Sequence, residues 1–126
     1  MLIVETKLCS ACGSPNVGLE VSEDTFGFSL MNKNVVREKL YHDDVYCFCC
    51  SDYRRSVDGY LVFHNGKLFT IREYFDDYEI VEIPYEQCGH VLFFERSVIP
   101  VTQVPRDEGK TIEQIVKEFL PMVASR

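Results

Sequence analysis

Two cysteine pairs constrain what this chain can fold into: Cys9-Ser10-Ala11-Cys12 and Cys47-Phe48-Cys49-Cys50, separated by 34 residues. Two intervening residues let the backbone turn back, so both sulfurs of a pair reach the same ion. Two such pairs supply the four thiolates that tetrahedral zinc accepts at about 2.3 Å each. Gly13 follows Cys12 and can take the positive φ that a knuckle needs if its amides are to point back at the sulfurs. The second pair lacks that glycine, although Ser51 and Asp52 suit a turn. Neighbouring side chains rarely converge on one ion, so Cys47 with Cys50 is the better pair and Cys49 a substitute. Cys88 and His90, in Cys88-Gly89-His90, are further substitutes or the filling of a strand and a turn. The expected ligands are therefore Cys9, Cys12, Cys47 and Cys50, around one structural Zn²⁺. Four thiolates leave no position open for the water that a hydrolytic site requires.

The competing readings of these cysteines are a disulfide framework and inert core packing. Disulfides need an oxidising compartment. The opening Met1-Leu2-Ile3-Val4-Glu5-Thr6-Lys7 has neither a basic start nor a long apolar run, so no secretory signal is expected. No stretch approaches the roughly 18 apolar residues of a membrane span. A cytoplasmic, reduced protein that does not cross a membrane is expected.

Charge narrows the partners. The formal net charge is −7, and four thiolates around a divalent ion would take it to about −9. Affinity for nucleic acid depends on neutralising phosphate, and the tight basic pair here is Arg54-Arg55, just after the second knuckle. From Glu73 to Glu86 the chain carries six acidic residues, Glu73, Asp76, Asp77, Glu79, Glu82 and Glu86, and no Lys or Arg. Such a run is either a solvated face or a negative patch that steers a basic partner. Glu73, Asp76, Asp77, Glu79 and Glu82 are the candidate partner-binding residues.

The organisation reads as α+β: a zinc-ribbon-like N-terminal half over residues 1–56, joined to an antiparallel β-meander with one C-terminal helix over residues 57–126. The two halves are also compatible with one compact domain. In the first half, strands are expected over Val17 to Val21, Phe26 to Met31 and Val35 to Tyr41, with a turn at Asn32-Lys33-Asn34. A strand ending at Tyr46 would deliver Cys47 beside Cys9. In the second half, Tyr60 to His64 and Lys67 to Ile71 flank Asn65-Gly66, a strong hairpin signal. That register sets Phe63 against Leu68 and Val62 against Phe69. Both faces are then apolar, which places these strands inside a sheet. Further strands follow at Tyr78 to Ile83, Val91 to Phe94 and Val98 to Val104, the last with Pro100 and Pro105 that favour an edge. Thr111-Ile112-Glu113-Gln114 is a capping box. Ile112, Ile115, Val116, Phe119 and Leu120 then form one apolar helical stripe, which Pro121 is expected to end or kink.

Leu8-Cys9-Ser10-Ala11-Cys12-Gly13, a strand-forming insert, and Tyr46-Cys47-Phe48-Cys49-Cys50 together resemble the N-terminal zinc module of the MqsA/YgiT-type antitoxins. The likeness covers residues 8–52. It implies a structural zinc held by Cys9, Cys12, Cys47 and Cys50, and a surface that contacts a toxin, an RNA-cleaving enzyme. The family's separate DNA-binding helix-turn-helix has no counterpart, because strands and a single helix follow.

Three functions are compatible with these residues. The first is a zinc-stabilised protein-interaction module, antitoxin-like or inhibitory, that binds a basic protein partner. The second is a nucleic-acid-binding zinc ribbon using Arg54 and Arg55, with Arg37 and Lys39. The third is an enzyme at His42-Asp43-Asp44. Adjacent strand residues point to opposite faces, and the chain has no glycine-rich phosphate loop, nucleophile elbow or zincin motif. A protein that is not an enzyme and that binds a protein partner is the expectation, with its oligomeric state left open.

Overall fold

The computed structural model describes residues 1–15, 27–31, 34–36, 44–47 and 49–124. The strand expected over Val17 to Val21, the turn residues Asn32 and Lys33, and Arg37, Lys39, His42 and Asp43 lie outside the described residues. The described chain is α+β, ten antiparallel strands and one C-terminal helix.

The hairpin at Asn65-Gly66 organises the larger sheet. Asn65 and Gly66 have φ of 50° and 75°, the left-handed pair that a two-residue turn needs to match the twist of its strands. It joins β5 (Asp52–His64) to β6 (Lys67–Glu73), with Phe63 opposite Leu68 and Val62 opposite Phe69. β7 (Asp77–Glu82) continues the meander, and β10 (Ile99–Pro105) closes that edge. Pairing shifts register between Pro100 and Thr102. Pro100 lacks an N–H, which an edge position tolerates. On the other side of β5 lies β1 (Leu2–Cys9), paired from Leu2 opposite Phe63 to Cys9 opposite Ser56. β4 (Asp44–Cys47) pairs with the first residues of β5.

The meander extends only through β7. β8 (Tyr85–Cys88) and β9 (Val91–Phe94) leave it and join β2 (Gly27–Ser29) and β3 (Asn34–Val36) in a second sheet ordered β3-β2-β9-β8. Pro84 follows β7 and cannot donate to a ladder, so the chain departs there. Both sheets draw strands from either side of residue 56, and β5 runs through it.

Strand alternation sorts the core into two layers. Leu61, Leu68, Val81 and Ile83 pack with Phe28, Leu92 and Phe94 of the small sheet. Val62, Phe69, Ile71, Tyr78 and Ile80, on the opposite face, pack with Ile115, Val116 and Phe119 of α1 (Ile112–Ala124). Phe69 and Phe119 meet edge to face at 5.8 Å. The capping box closes reciprocally: Gln114 N–H donates to Thr111 Oγ1 at 3.3 Å, and Gln114 Oε1 accepts from Thr111 N–H at 2.8 Å. Pro121 does not end the helix, which continues to Ala124. It sits in the last turn, where its missing N–H forfeits one bond near an end that already has unpaired carbonyls.

Phe119→Ala is expected to cost about 3–5 kcal/mol of stability. Because α1 packs on the face away from the cysteines, bound metal per chain should not change. Urea unfolding monitored by circular dichroism, with elemental analysis of the same sample, measures both.

Candidate metal centre

Each cysteine pair begins where a strand ends. β1 ends at Cys9 and β4 ends at Cys47, and both strands pair with β5, at Ser56 and Asp52 respectively. One strand thus brings together sulfurs that are far apart in sequence. The two turns follow the same pattern. Gly13 N–H donates to Cys9 O at 2.9 Å, and Ser51 N–H donates to Cys47 O at 2.8 Å. The residue after the second cysteine is left-handed in both, with φ of 83° at Gly13 and 57° at Ser51. Gly13 adopts this without strain, whereas Ser51 bears the Cβ crowding of that region. Amides then point at sulfur: Ala11 N–H at Cys9, Ser14 N–H at Cys12 and Cys50 N–H at Cys47, each at 3.4 Å. Such bonds spread thiolate charge and fix ligand orientation.

The four sulfurs of Cys9, Cys12, Cys47 and Cys50 lie within 4.8 Å of one another. Cys9 and Cys50 are 3.9 Å apart, and Cys12 and Cys47 are 3.6 Å apart. Metal–sulfur bonds of about 2.3 Å in a tetrahedron imply edges of about 3.8 Å. The donor set and its spacing therefore fit a metal ion, with Cys9 and Cys47 buried and Cys12 and Cys50 half-buried.

Electrostatics supports the same fit. Hydrogen bonds from Cys12 and Cys47 hold the Cys9 sulfur well below the usual thiol range. Hydrogen bonding to Cys47 and Cys9, followed by burial, pushes Cys12 far up. Cys47 is lowered by Cys12, but Cys9 and burial outweigh this and push it up to about 12. The cluster on its own thus retains protons among its crowded sulfurs. A bound cation displaces those protons and removes the repulsion that retains them.

The first knuckle is clamped to the large sheet by two polar side chains of β6. Thr70 Oγ1 donates to Gly13 O. Arg72, 4% exposed, donates from Nη1 to Ser10 O at 2.8 Å and bonds Glu79 through Nη2. At the second knuckle, a hydrogen bond to the Cys50 sulfur raises the Arg54 pKa, and Arg54 Nη1 pairs with Asp52 at 3.3 Å. The reading from sequence missed Thr70 and Arg72. Their signal was a pair of polar residues alternating within the otherwise apolar Leu68-Phe69-Thr70-Ile71-Arg72 of an interior strand.

The other expected residues are placed as follows. Cys49 is half-buried beside Cys12. Cys88 and His90 flank Gly89 in the exposed turn between β8 and β9 and are not part of the sulfur group. Glu79 and Glu73 face arginines, Arg72 and Arg106. Asp76 and Asp77 sit at the β6–β7 turn with the 93%-exposed Phe75, and Glu82 lies on β7 opposite Phe69 and Ile99. Arg55 is exposed on β5. No helix among the described residues is long and apolar enough to cross a membrane.

Comparison with protein-family models, with curated proteins and with solved structures finds no match.

Ser51→Gly removes the left-handed penalty and is expected to hold or raise stability by up to about 1 kcal/mol, the added unfolded-state freedom offsetting part of the gain. Ser51→Val should destabilise the protein and weaken metal retention. Thermal melts with and without a chelator measure both.

Proposed function

We propose that this protein is a zinc-stabilised interaction module whose second knuckle and first knuckle form a ribbon-like unit, and whose partner is a basic protein. The observation that carries the zinc reading is the meeting of four cysteine sulfurs at tetrahedral spacing, with three knuckle amides aimed at them. Zinc favours a closed four-sulfur site as structure, and bound there it supplies cross-linking rather than a reactive position. The chain's own residues do the remaining work. Gly13 and Ser51 orient the amides, and Thr70 and Arg72 tie the first knuckle to the sheet. An antitoxin-like or inhibitory role, in a reducing cytoplasm, fits the resemblance of residues 8–52 to an antitoxin zinc module.

Charge and one exposed aromatic support a basic protein as partner. The net charge is −7. Phe75 is 93% exposed at the β6–β7 turn beside Asp76 and Asp77. Arg106 fixes that turn: its Nη1 donates to Tyr74 O and its N–H to Asp76 O, at 2.8 and 2.9 Å. A turn whose backbone is already held in place loses little main-chain entropy on binding, and its exposed aromatic ring suits an apolar pocket with a basic rim. Nucleic acid is the weaker alternative, because the net charge is −7 and Arg54 is paired with Asp52, which leaves Arg55 without its neighbour.

Elemental analysis is expected to find one zinc per chain. Cys12→Ser should lower that content and the melting temperature by about 10 °C or more, as loss of several kcal/mol in a domain this size implies. Metal-free protein with an unchanged melt would contradict the zinc reading. For the partner, affinity capture at low salt should retain a basic protein that is released at high salt. Phe75→Ser should weaken that capture while leaving the melt unchanged.

A further inference from the structure

Two facing sulfur pairs cross from one cysteine knuckle to the other. Cys12 Sγ stands 3.6 Å from Cys47 Sγ, and Cys9 Sγ stands 3.9 Å from Cys50 Sγ. Each pair sets one reachable sulfur against one shielded sulfur. Cys9 and Cys47 are 0% and 1% exposed, whereas Cys12 and Cys50 are half-buried. Susceptibility to oxidation follows exposure, and a neighbouring thiol resolves the oxidised sulfur as a disulfide. A small oxidant therefore meets Cys12 or Cys50 first, and the thiol that faces the product is a buried one on the other knuckle. Disulfide sulfurs stand about 2.0 Å apart, so each pair has less than about 2 Å to close. Cys49 is also half-buried but lies outside the four-sulfur group.

We infer that the cysteine cluster is a peroxide-sensitive clasp, in which oxidation expels the metal and joins the knuckles by two disulfides, Cys12–Cys47 and Cys9–Cys50. This inference rests on the metal-centre reading above and adds a regulation of that site. In each pair the accessible thiolate attacks a peroxide oxygen; the O–O bond breaks, hydroxide leaves, and the sulfur becomes a sulfenic acid. The facing thiolate then attacks that sulfur, forms the S–S bond and displaces a second hydroxide. Each pair thus gives two electrons to one peroxide. Thiolates and not disulfides are metal ligands, so the metal–sulfur bonds break and Zn²⁺ departs. The new bonds keep the connection that the ion made. They join residues 35 and 41 positions apart, and so still tie the end of β1 to the end of β4. Disulfides within each knuckle would leave the two knuckles unconnected. Oxidation across them changes metal content without opening the sheet.

The test titrates the zinc-loaded full chain and its Cys49→Ser variant with hydrogen peroxide. A chromophoric chelator should register the release of zinc, at about two peroxides consumed per ion. Peptide mapping without reductant should find the two knuckles covalently joined, with fragmentation placing Cys12 on Cys47 and Cys9 on Cys50. The oxidised, zinc-free chain should melt about 5 °C or more above the reduced chain held in chelator. Dithiothreitol with added zinc should restore the metal, and Cys49→Ser should match the wild type throughout. Disulfides confined within the knuckles, links through Cys49, the opposite pairing, or sulfinic acid without disulfide would overturn the inference, while the zinc bound beforehand would leave the metal centre standing. Failure of the wild-type chain to hold zinc before oxidation would instead overturn the metal-centre reading, and this inference with it.

Discussion

Pairing of two strands to one neighbour is the constraint on which the cysteine cluster depends. β5 has 13 residues, and different stretches of it receive β4 and β1. Those two strands end at Cys47 and Cys9. Main-chain hydrogen bonds of a sheet therefore close the long loop between the knuckles, and the sulfurs arrive at 3.6–3.9 Å spacings as a consequence. Loop closure over many residues carries an entropic cost, which here is shared with formation of the sheet. An ion bound to such a site would tie the ends of β1 and β4 together along with the knuckles.

The inner face of β6 shows how the knuckle is joined to the fold. Leu68 is core, whereas Thr70 and Arg72 point the same way and are 0% and 4% exposed. Polar groups buried this deeply need partners. The Gly13, Ser10 and Cys9 carbonyls and the Glu79 carboxylate provide them. Glu79, one member of the acidic run, thus serves inside the structure, and Glu73 faces Arg106. What remains outward at that end is Phe75 with Asp76 and Asp77, so the acidic surface there is smaller than the run of letters suggests.

Features governed by local chemistry were legible in the sequence. Asn65-Gly66 demanded a left-handed turn and thereby set the register of Phe63 and Val62. Thr111 with Gln114 marked the helix start, and the stripe through Ile115, Val116 and Phe119 marked its buried face. Cys9, Cys12, Cys47 and Cys50 were separable from Cys49 because adjacent side chains diverge. Features set by tertiary contact were not legible. Tyr85 to Phe94 reads as more meander, yet it pairs with Gly27–Ser29, and no local pattern names that partner. Pro121 reads as an end or a kink, and the helix runs on through it to Ala124. Arg72 was not singled out, because its burial depends on a turn 62 positions earlier.

The division between the two faces of the large sheet has a mechanical consequence. Side chains alternate, so Val62, Phe69 and Ile71 serve the helix, while Leu61, Leu68 and Thr70 serve the small sheet and the first knuckle. Interiors packed to crystal density transmit displacement through contacting side chains. The first knuckle is in direct contact with β6 and, through it, with β7, by way of Thr70, Arg72 and Glu79. β6 and β7 are also the strands whose turn carries Phe75, and Arg106, anchored at the end of β10, braces that turn from beside it. The geometry thus joins the cysteine cluster to the exposed aromatic through two strands and one partly buried ion pair, with the helix on the far side of the sheet.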